Sequence, residues 1–550
     1  MSSALIKIAG GTVYDPANGI DGEVRDLWID GSKVVAAPPD SHTRPVRTLD
    51  AAGLVVMPGG VDMHCHIAGP KVNAARRMLP AWRESPAFRE GDFLGDSGGR
   101  MPTTLSTGLR YAGLGYTTAF DAAIAPLAAR HAHLELADTP CIDKGCFILM
   151  GSNEYLLEAI RDGEHERAKN FIAWLLGAAK GYAPKLVNPG GVAAWKNGRD
   201  GPVADLDERL NSGLSPREII AAVARAAGEL RLPHPLHLHC NNLGMPGNAA
   251  TTLATMQALD GHRAHLAHIQ FHSYGGDPND AATFHSRVEP LAEYFNEHEN
   301  LSLDVGQVLF GPTVSMTADS AVGHYLSRIY GGPWFSHDIE CETGCGIVPI
   351  EYKEKSLVHA WQWAIGLEWF LTARDSWRIA LSTDHPNGGS FLAYPRVIRW
   401  LMNRNSRDET LARIHPKVRR QSQLAHLDRE YTLGEICIIT RAAPARLLGL
   451  PNKGHLGAGA DADVTIYLPN ADILQMFEMP RHVIKAGQMI VEQGESRAEP
   501  PGKTLHVAAD YDPTIEPHLA KWFDERYSVR FNNYAVNESY LDDHEVVSCR

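Results

Sequence analysis

The spacing of apolar and polar positions divides the chain into three textures. At the start, residues 4–8, 11–14, 26–31 and 33–36 alternate apolar with polar side chains, and Gly, Asn and Asp punctuate them. A period of two broken by such residues predicts short strands joined by hairpin turns. The same texture returns after Leu450, in residues 462–467, 482–488 and 489–492. Strand-rich segments at both ends predict one small β-sandwich assembled from residues 1–57 and 446–500.

The middle alternates strand with helix. Residues 116–121 (YTTAFD), 146–150 (CFILM) and 235–239 (PLHLH) read as strands. Ser215-Pro216-Arg217-Glu218 combines an N-cap serine, a proline at the first helical position and a capping-box glutamate. Apolar residues then recur at helical spacing as far as Leu230. A second helix, expected to be amphipathic, covers 357–371 and precedes the strand-like 378–382. Repeated βα units over residues 58–445 predict a (β/α)8 barrel of the TIM type, whose functional groups gather at the C-terminal ends of its strands. Stretches 70–102, 188–214, 272–298 and 311–350 are long for barrel loops and read as lids, binding loops or partner surfaces. Residues 501–550 form a polar extension bearing Trp522, Phe523 and Tyr527, expected to pack on this body or on a partner.

Chemistry enters with Val61-Asp62-Met63-His64-Cys65-His66. Side chains alternate faces along a strand, so His64 and His66 point the same way while Met63 and Cys65 point the other. Two imidazoles aimed at one point suit a divalent metal of the zinc type. An HxH pair alone is weak evidence, but four further segments join it. Lys185 ends an apolar run before Asn188-Pro189-Gly190. A lysine there is ordinarily solvated; if desolvated and neutral, its amine can take up CO₂ as a carbamate whose oxygens bridge two metals. His237 and His239 share a face in HLHCNN, with His239 nearer the strand end and His237 one layer deeper. In AHLAHIQFH the best-placed ligand is His268, with His265 and His272 as rivals. Asp384 ends the apolar strand LSTD, and its neighbour His385 is expected behind the ligands or against substrate. Four His, one modified Lys and one Asp suffice for two zinc ions. Such a centre hydrolyses amides near neutral pH, with Asp384 accepting a proton from water and returning it to the leaving nitrogen.

Composition narrows the rest. With 550 residues the chain can bury a large core. Its net charge of −13 argues against a nucleic-acid or anionic-membrane binder. No apolar run approaches the ~20 residues needed to span a bilayer, and the N-terminus lacks the pattern of a signal peptide. The eight cysteines are scattered, with Cys341 and Cys345 the closest suggestive pair, read as a loop feature. A reducing cytoplasm is the expected compartment.

PGGVDMHCH, the strand lysine, HLHCN, AHLAHIQ, STDHP and KGHLGAGADADVTIY resemble the amidohydrolase superfamily of dihydroorotases, hydantoinases and ureases. GYAPKLVNPGG, HLHCNNLGMPGN, AHLAHIQFHSYGG and STDHPNGG are similar, more narrowly, to the hydrolase subunits of formylmethanofuran dehydrogenase and of the bacterial formyltransferase/hydrolase complex. That resemblance implies a dinuclear zinc enzyme on His64, His66, carboxylated Lys185, His239, His268 and Asp384. It also implies formylmethanofuran as substrate, formate and methanofuran as products, and the other subunits of such a complex as partners. Rival readings are another cyclic-amide or N-acyl amidohydrolase, a single-metal deaminase, or an inactive scaffold of the same fold.

Overall fold

The computed structural model describes residues 5–39, 44–78, 101–199, 201–331, 335–336, 346–541 and 543–550. Eight parallel strands form the centre: Gly60–Cys65, Tyr116–Ile124, Asp143–Leu149, Ala183–Val187, Leu236–His239, Ala264–Leu266, Leu301–Asp304 and Ile379–Ala380. Each pairs in parallel with the next. A parallel bridge between Cys65 and His385 closes the ring, with the His66 N–H donating to the His385 carbonyl at 2.8 Å. This is the predicted (β/α)8 barrel. Its strands are buried on both faces, as a barrel wrapped in helices requires.

Local signals explain several elements. Ser215 caps the helix Pro216–Glu229 with both capping-box bonds formed. The helix Leu357–Thr372 departs from the amphipathic expectation: residues 359–371 are buried all round, including Trp361, Trp363 and Trp369. The helices Tyr394–Met402 and Pro416–Gln421 pack against it, so it needs no polar face.

The two ends of the chain pair into one continuous nine-stranded sheet. Val55–Pro58 runs antiparallel to Val464–Tyr467, and that contact joins the N-terminal strands to the C-terminal ones. The segments read separately above as 4–8 and 11–14 are joined, from Ile6 on, in a single strand, Ile6–Asp15. Gly10, at φ 70°, makes a bulge between Ile8 and Gly11 instead of a hairpin turn.

The excursions resolve unequally. Part of 272–298 is an ordinary barrel helix, Val288–Glu297, preceded by the hairpin Tyr274–Asp277 and Asp280–Ser286. The 311–350 stretch carries the antiparallel pair Gly311–Thr317 and Gly346–Tyr352 with the helix Ser320–Tyr330. Much of 70–102, and both Cys341 and Cys345, lie outside the described residues.

The C-terminal extension is built into the barrel. Its strand Thr504–Val507 joins the third barrel strand at Lys144, and the Val507 N–H reaches the Gly181 carbonyl just before the fourth. A buried charge cluster secures this junction. Asp143 Oδ2, at the start of the third barrel strand, takes Lys453 at 2.5 Å and Lys485 at 2.7 Å. Both lysines also reach Asp463 Oδ2 at 3.0 Å, and Asp143 Oδ1 accepts the Lys503 N–H at 2.8 Å. Barrel, end-to-end sheet and extension thus share one ion network. Removing one cation leaves buried carboxylates undercompensated, at a cost of about 3–5 kcal/mol. Lys485→Met should lower unfolding free energy by that amount in denaturant titration; unchanged stability would show that the network holds nothing together.

Candidate metal centre

His64 and His66 lie at the end of the first barrel strand, Lys185 in the fourth, and His239 at the end of the fifth. His268 and Asp384 follow the sixth and eighth strands, each with positive φ, 34° and 50°. The chain turns sharply there, a conformation that non-glycine residues adopt only where surrounding structure enforces it. Gly306 allows the turn at His268, since a Cβ at 306 would meet His268 Cβ at 2.5 Å. All six side chains line one cavity of about 30 Å³. Its other walls are Ala123, Val187, Leu243, Phe271 and Ala318, with Thr317 and Asn387 as the remaining polar residues.

The donor atoms converge. His64 Nε2 and His66 Nε2 lie 3.1 and 3.0 Å from Asp384 Oδ1. Ring nitrogens of His239, His268 and His272 lie within 4.8 Å of one another. His64 Nε2, His239 Nε2, His268 Nδ1, Lys185 Nζ and Asp384 Oδ1 are buried and make no hydrogen bond among the described residues. Buried polar atoms are normally satisfied, so five facing one small space call for a ligand that completes them. Imidazole, carboxylate and amine donors in this arrangement fit a zinc-type cation.

Hydrogen bonds behind the donors orient them. His64 Nδ1 lies 2.9 Å from Asp304 Oδ1, which holds the Nδ1 proton and leaves Nε2 free toward the cavity. Burial pushes His268 down to about 3 and His239 well below the usual imidazole range, so both rings are neutral and keep a lone pair.

A profile of the amidohydrolase family matches residues 47–491. The chain belongs to the amidohydrolase family. It is 40% identical to protein FwdA of Methanocaldococcus jannaschii, covering 98% of each chain. It is 39% identical to a subunit of the formyltransferase/hydrolase complex Fhc of Methylorubrum extorquens, covering 99% of this chain and 100% of that one. The crystal structure of the Methylorubrum extorquens complex FhcABCD with methylofuran contains a chain that superposes with a TM-score of 0.91 at 38% identity, covering 99% of this chain and 100% of that one. A zinc-containing N-acyl-D-glutamate deacylase from Bordetella bronchiseptica, at 15% identity and TM-score 0.51, shares the fold, with 91% of this chain and 98% of that one covered.

In this amidohydrolase the rival histidines have distinct places. His237 lies one layer deeper, its Nε2 3.1 Å from His64 Nδ1 and its Nδ1 3.0 Å from His234 Nε2. His265 has both nitrogens engaged, at 2.9 Å to Ser302 Oγ and 3.2 Å to Asp304 Oδ1. His272 is buried against His239 and His268 but does not line the cavity. His385 packs edge-on against Phe391, also away from the cavity.

Sequence reasoning missed Asp304, which accepts from Ser382 Oγ at 2.5 Å as well as facing His64 and His265. Its signal was present, since LSLD ends an apolar strand in a carboxylate as LSTD does. Asp121 was also missed; its Oδ1 lies 3.6 Å from His66 Nδ1, and its Oδ2 accepts the Ile67 and Ala68 N–H groups. Thr317 and Ala318 reach the cavity through tertiary contacts that no local spacing announces, whereas Asn387 follows Asp384 by three residues.

Burial lowers the Lys185 ammonium to about 7, against the opposing pull of Asp304 and Asp384. A good part of the amine is therefore neutral near pH 7, as carbamate formation requires. The shift also links stability to pH. Between about 7 and the ordinary lysine value of about 10.4, the unfolded chain binds the extra proton, so Lys185 makes the metal-free fold more stable as pH rises. Below about 7 both states are protonated and this dependence vanishes. Denaturant titrations of metal-free protein from pH 7 to 10 should show a rising component that Lys185→Met removes; parallel curves for the two proteins would contradict a depressed lysine.

Proposed function

We propose that this chain hydrolyses the N-formyl amide of formylmethanofuran to formate and methanofuran, reversibly, within a multi-subunit one-carbon transfer complex. In this reading His64, His66, His239, His268, Asp384 and a carboxylated Lys185 hold two zinc ions. The observation that carries it is the cavity: six donor groups surround about 30 Å³, room for about two water-sized groups. Ala123, Val187, Leu243, Phe271 and Ala318 close the rest. A small acyl group beside a water suits that space. Near-full-length similarity to the Fhc chain of Methylorubrum extorquens supports the same substrate class and a multi-subunit setting.

When bound, zinc supplies Lewis acidity for the acyl oxygen and acidifies water toward neutral pH. Asp384 performs the proton transfers. Burial alone would raise its carboxyl group, but His268, His64 and His66 outweigh that and hold it well below the usual carboxylate range. It is therefore ionised at neutral pH and takes the proton of the attacking water. Water oxygen bonds to the formyl carbon, the C–N bond breaks, and Asp384 returns the proton to the amine nitrogen. The apolar walls keep other water out, which strengthens each electrostatic contact.

The purified complex, supplied with formylmethanofuran and assayed for zinc, should release formate with about two zinc per chain. Asp384→Asn should cut turnover by about 10³-fold or more while the chain stays folded. Zinc without formate release would remove formylmethanofuran as substrate, and near-normal turnover in Asp384→Asn would remove Asp384 from the proton transfers.

A further inference from the structure

Apart from the six candidate ligands, the cavity has two polar residues, Thr317 and Asn387. Thr317 Oγ1 accepts the Asp319 N–H at 3.0 Å and keeps one freely rotating proton to donate, with no bond that fixes its direction. Asn387 differs. It lies three residues beyond Asp384, and its own N–H donates to the Asp384 carbonyl at 2.6 Å. Its Oδ1 accepts the Met316 N–H at 2.6 Å, and its backbone carbonyl accepts from Tyr352 Oη at 3.0 Å. Both partners belong to the antiparallel pair Gly311–Thr317 and Gly346–Tyr352. A backbone N–H can donate only to the amide oxygen, so the Met316 bond fixes which end of the side chain is Oδ1 and which is Nδ2. The NH₂ end has no partner among the described residues.

We propose that Asn387 is a substrate-contacting residue whose Nδ2 donates to the acyl oxygen of the scissile amide, with the inserted strand pair holding that donor in place. This rests on the amide-hydrolase reading above and adds a protein donor where negative charge develops on the acyl oxygen. The donor is pre-oriented, because Met316 and Tyr352 fix the residue before substrate arrives. A donor held in advance costs no reorganisation at the moment of reaction. The insertion thereby serves the chemistry directly as well as walling the cavity with Thr317 and Ala318.

Asn387→Asp separates the two roles of the side chain: it keeps an oxygen for the Met316 N–H and replaces the Nδ2 donor by an acceptor. Thr313→Val is the control: it removes the Thr313 hydroxyl bond to the Pro386 carbonyl and leaves both ends of the Asn387 side chain, and their bonds, in place. The experiment measures kcat, KM, zinc content and ¹³C-formate binding for both variants in the assembled complex, on formylmethanofuran or whichever N-acyl amide the unmodified complex cleaves. Asn387→Asp should lower kcat by about 10²-fold with zinc content unchanged, and weaken formate binding. Thr313→Val should stay within about threefold of the unmodified complex. Equal losses in both variants, or an Asn387→Asp enzyme within threefold, would overturn the proposal. Should Asn387→Asp assemble poorly, Asn387→Ala, which has no side-chain donor, takes its place in the same assay, with retained kcat counting against the donor. An unmodified complex inactive on formylmethanofuran defeats the substrate assignment alone; the variant comparison, run on the amide it does cleave, decides Asn387.

Discussion

Asp304 sits inside the barrel, out of water, and takes contacts from three other strands. Oδ1 faces His64 from the first strand and His265 from the sixth, and Oδ2 accepts from Ser382 at the end of the eighth. His237 from the fifth strand completes the layer through His64. A buried carboxylate is tolerable only when its oxygens are this well used. Its contact with Nδ1 sets the ring orientation of His64, and so the direction in which His64 Nε2 points. One of the six candidate ligands thus owes its orientation to a charge one layer beneath the cavity.

Much of this was legible beforehand, and for identifiable reasons. His64, His66, His239 and Asp384 fall at strand ends, where a period of two predicts facing and the barrel predicts convergence. Ser215 and Glu218 announced their helix because a capping box is a local signal. The failures have the opposite cause. The helix Leu357–Thr372 was misread as amphipathic because the helices that cover its outer face come later in the chain. Gly10 reads as a turn by composition, and only pairing with the neighbouring strand distinguishes a bulge from a hairpin. Asn387 was passed over because its importance depends on Met316 and Tyr352, which are remote in sequence.

The two rims of the barrel are specialised differently. At the C-terminal rim, donor atoms are left unpaired around a small apolar-walled space. At the opposite rim every charge in the Asp143, Lys453, Lys485 and Asp463 cluster has a partner. Unpartnered donors thus face one cavity at the first rim, and paired charges fasten separate parts of the chain at the second. Such barrels generally divide their two faces in this way, with chemistry at one and stability at the other.

The fastening has a consequence for how the protein is made. Val55–Pro58 waits for Val464–Tyr467 to complete its sheet, and the third barrel strand waits for Thr504–Val507. A nascent chain leaving the ribosome therefore carries open strand edges until residues 464–467 and 504–507 have been made. Contacts this distant in sequence form slowly, and exposed edges invite pairing between chains. During that interval the unpaired edges of one growing polypeptide are open to those of another.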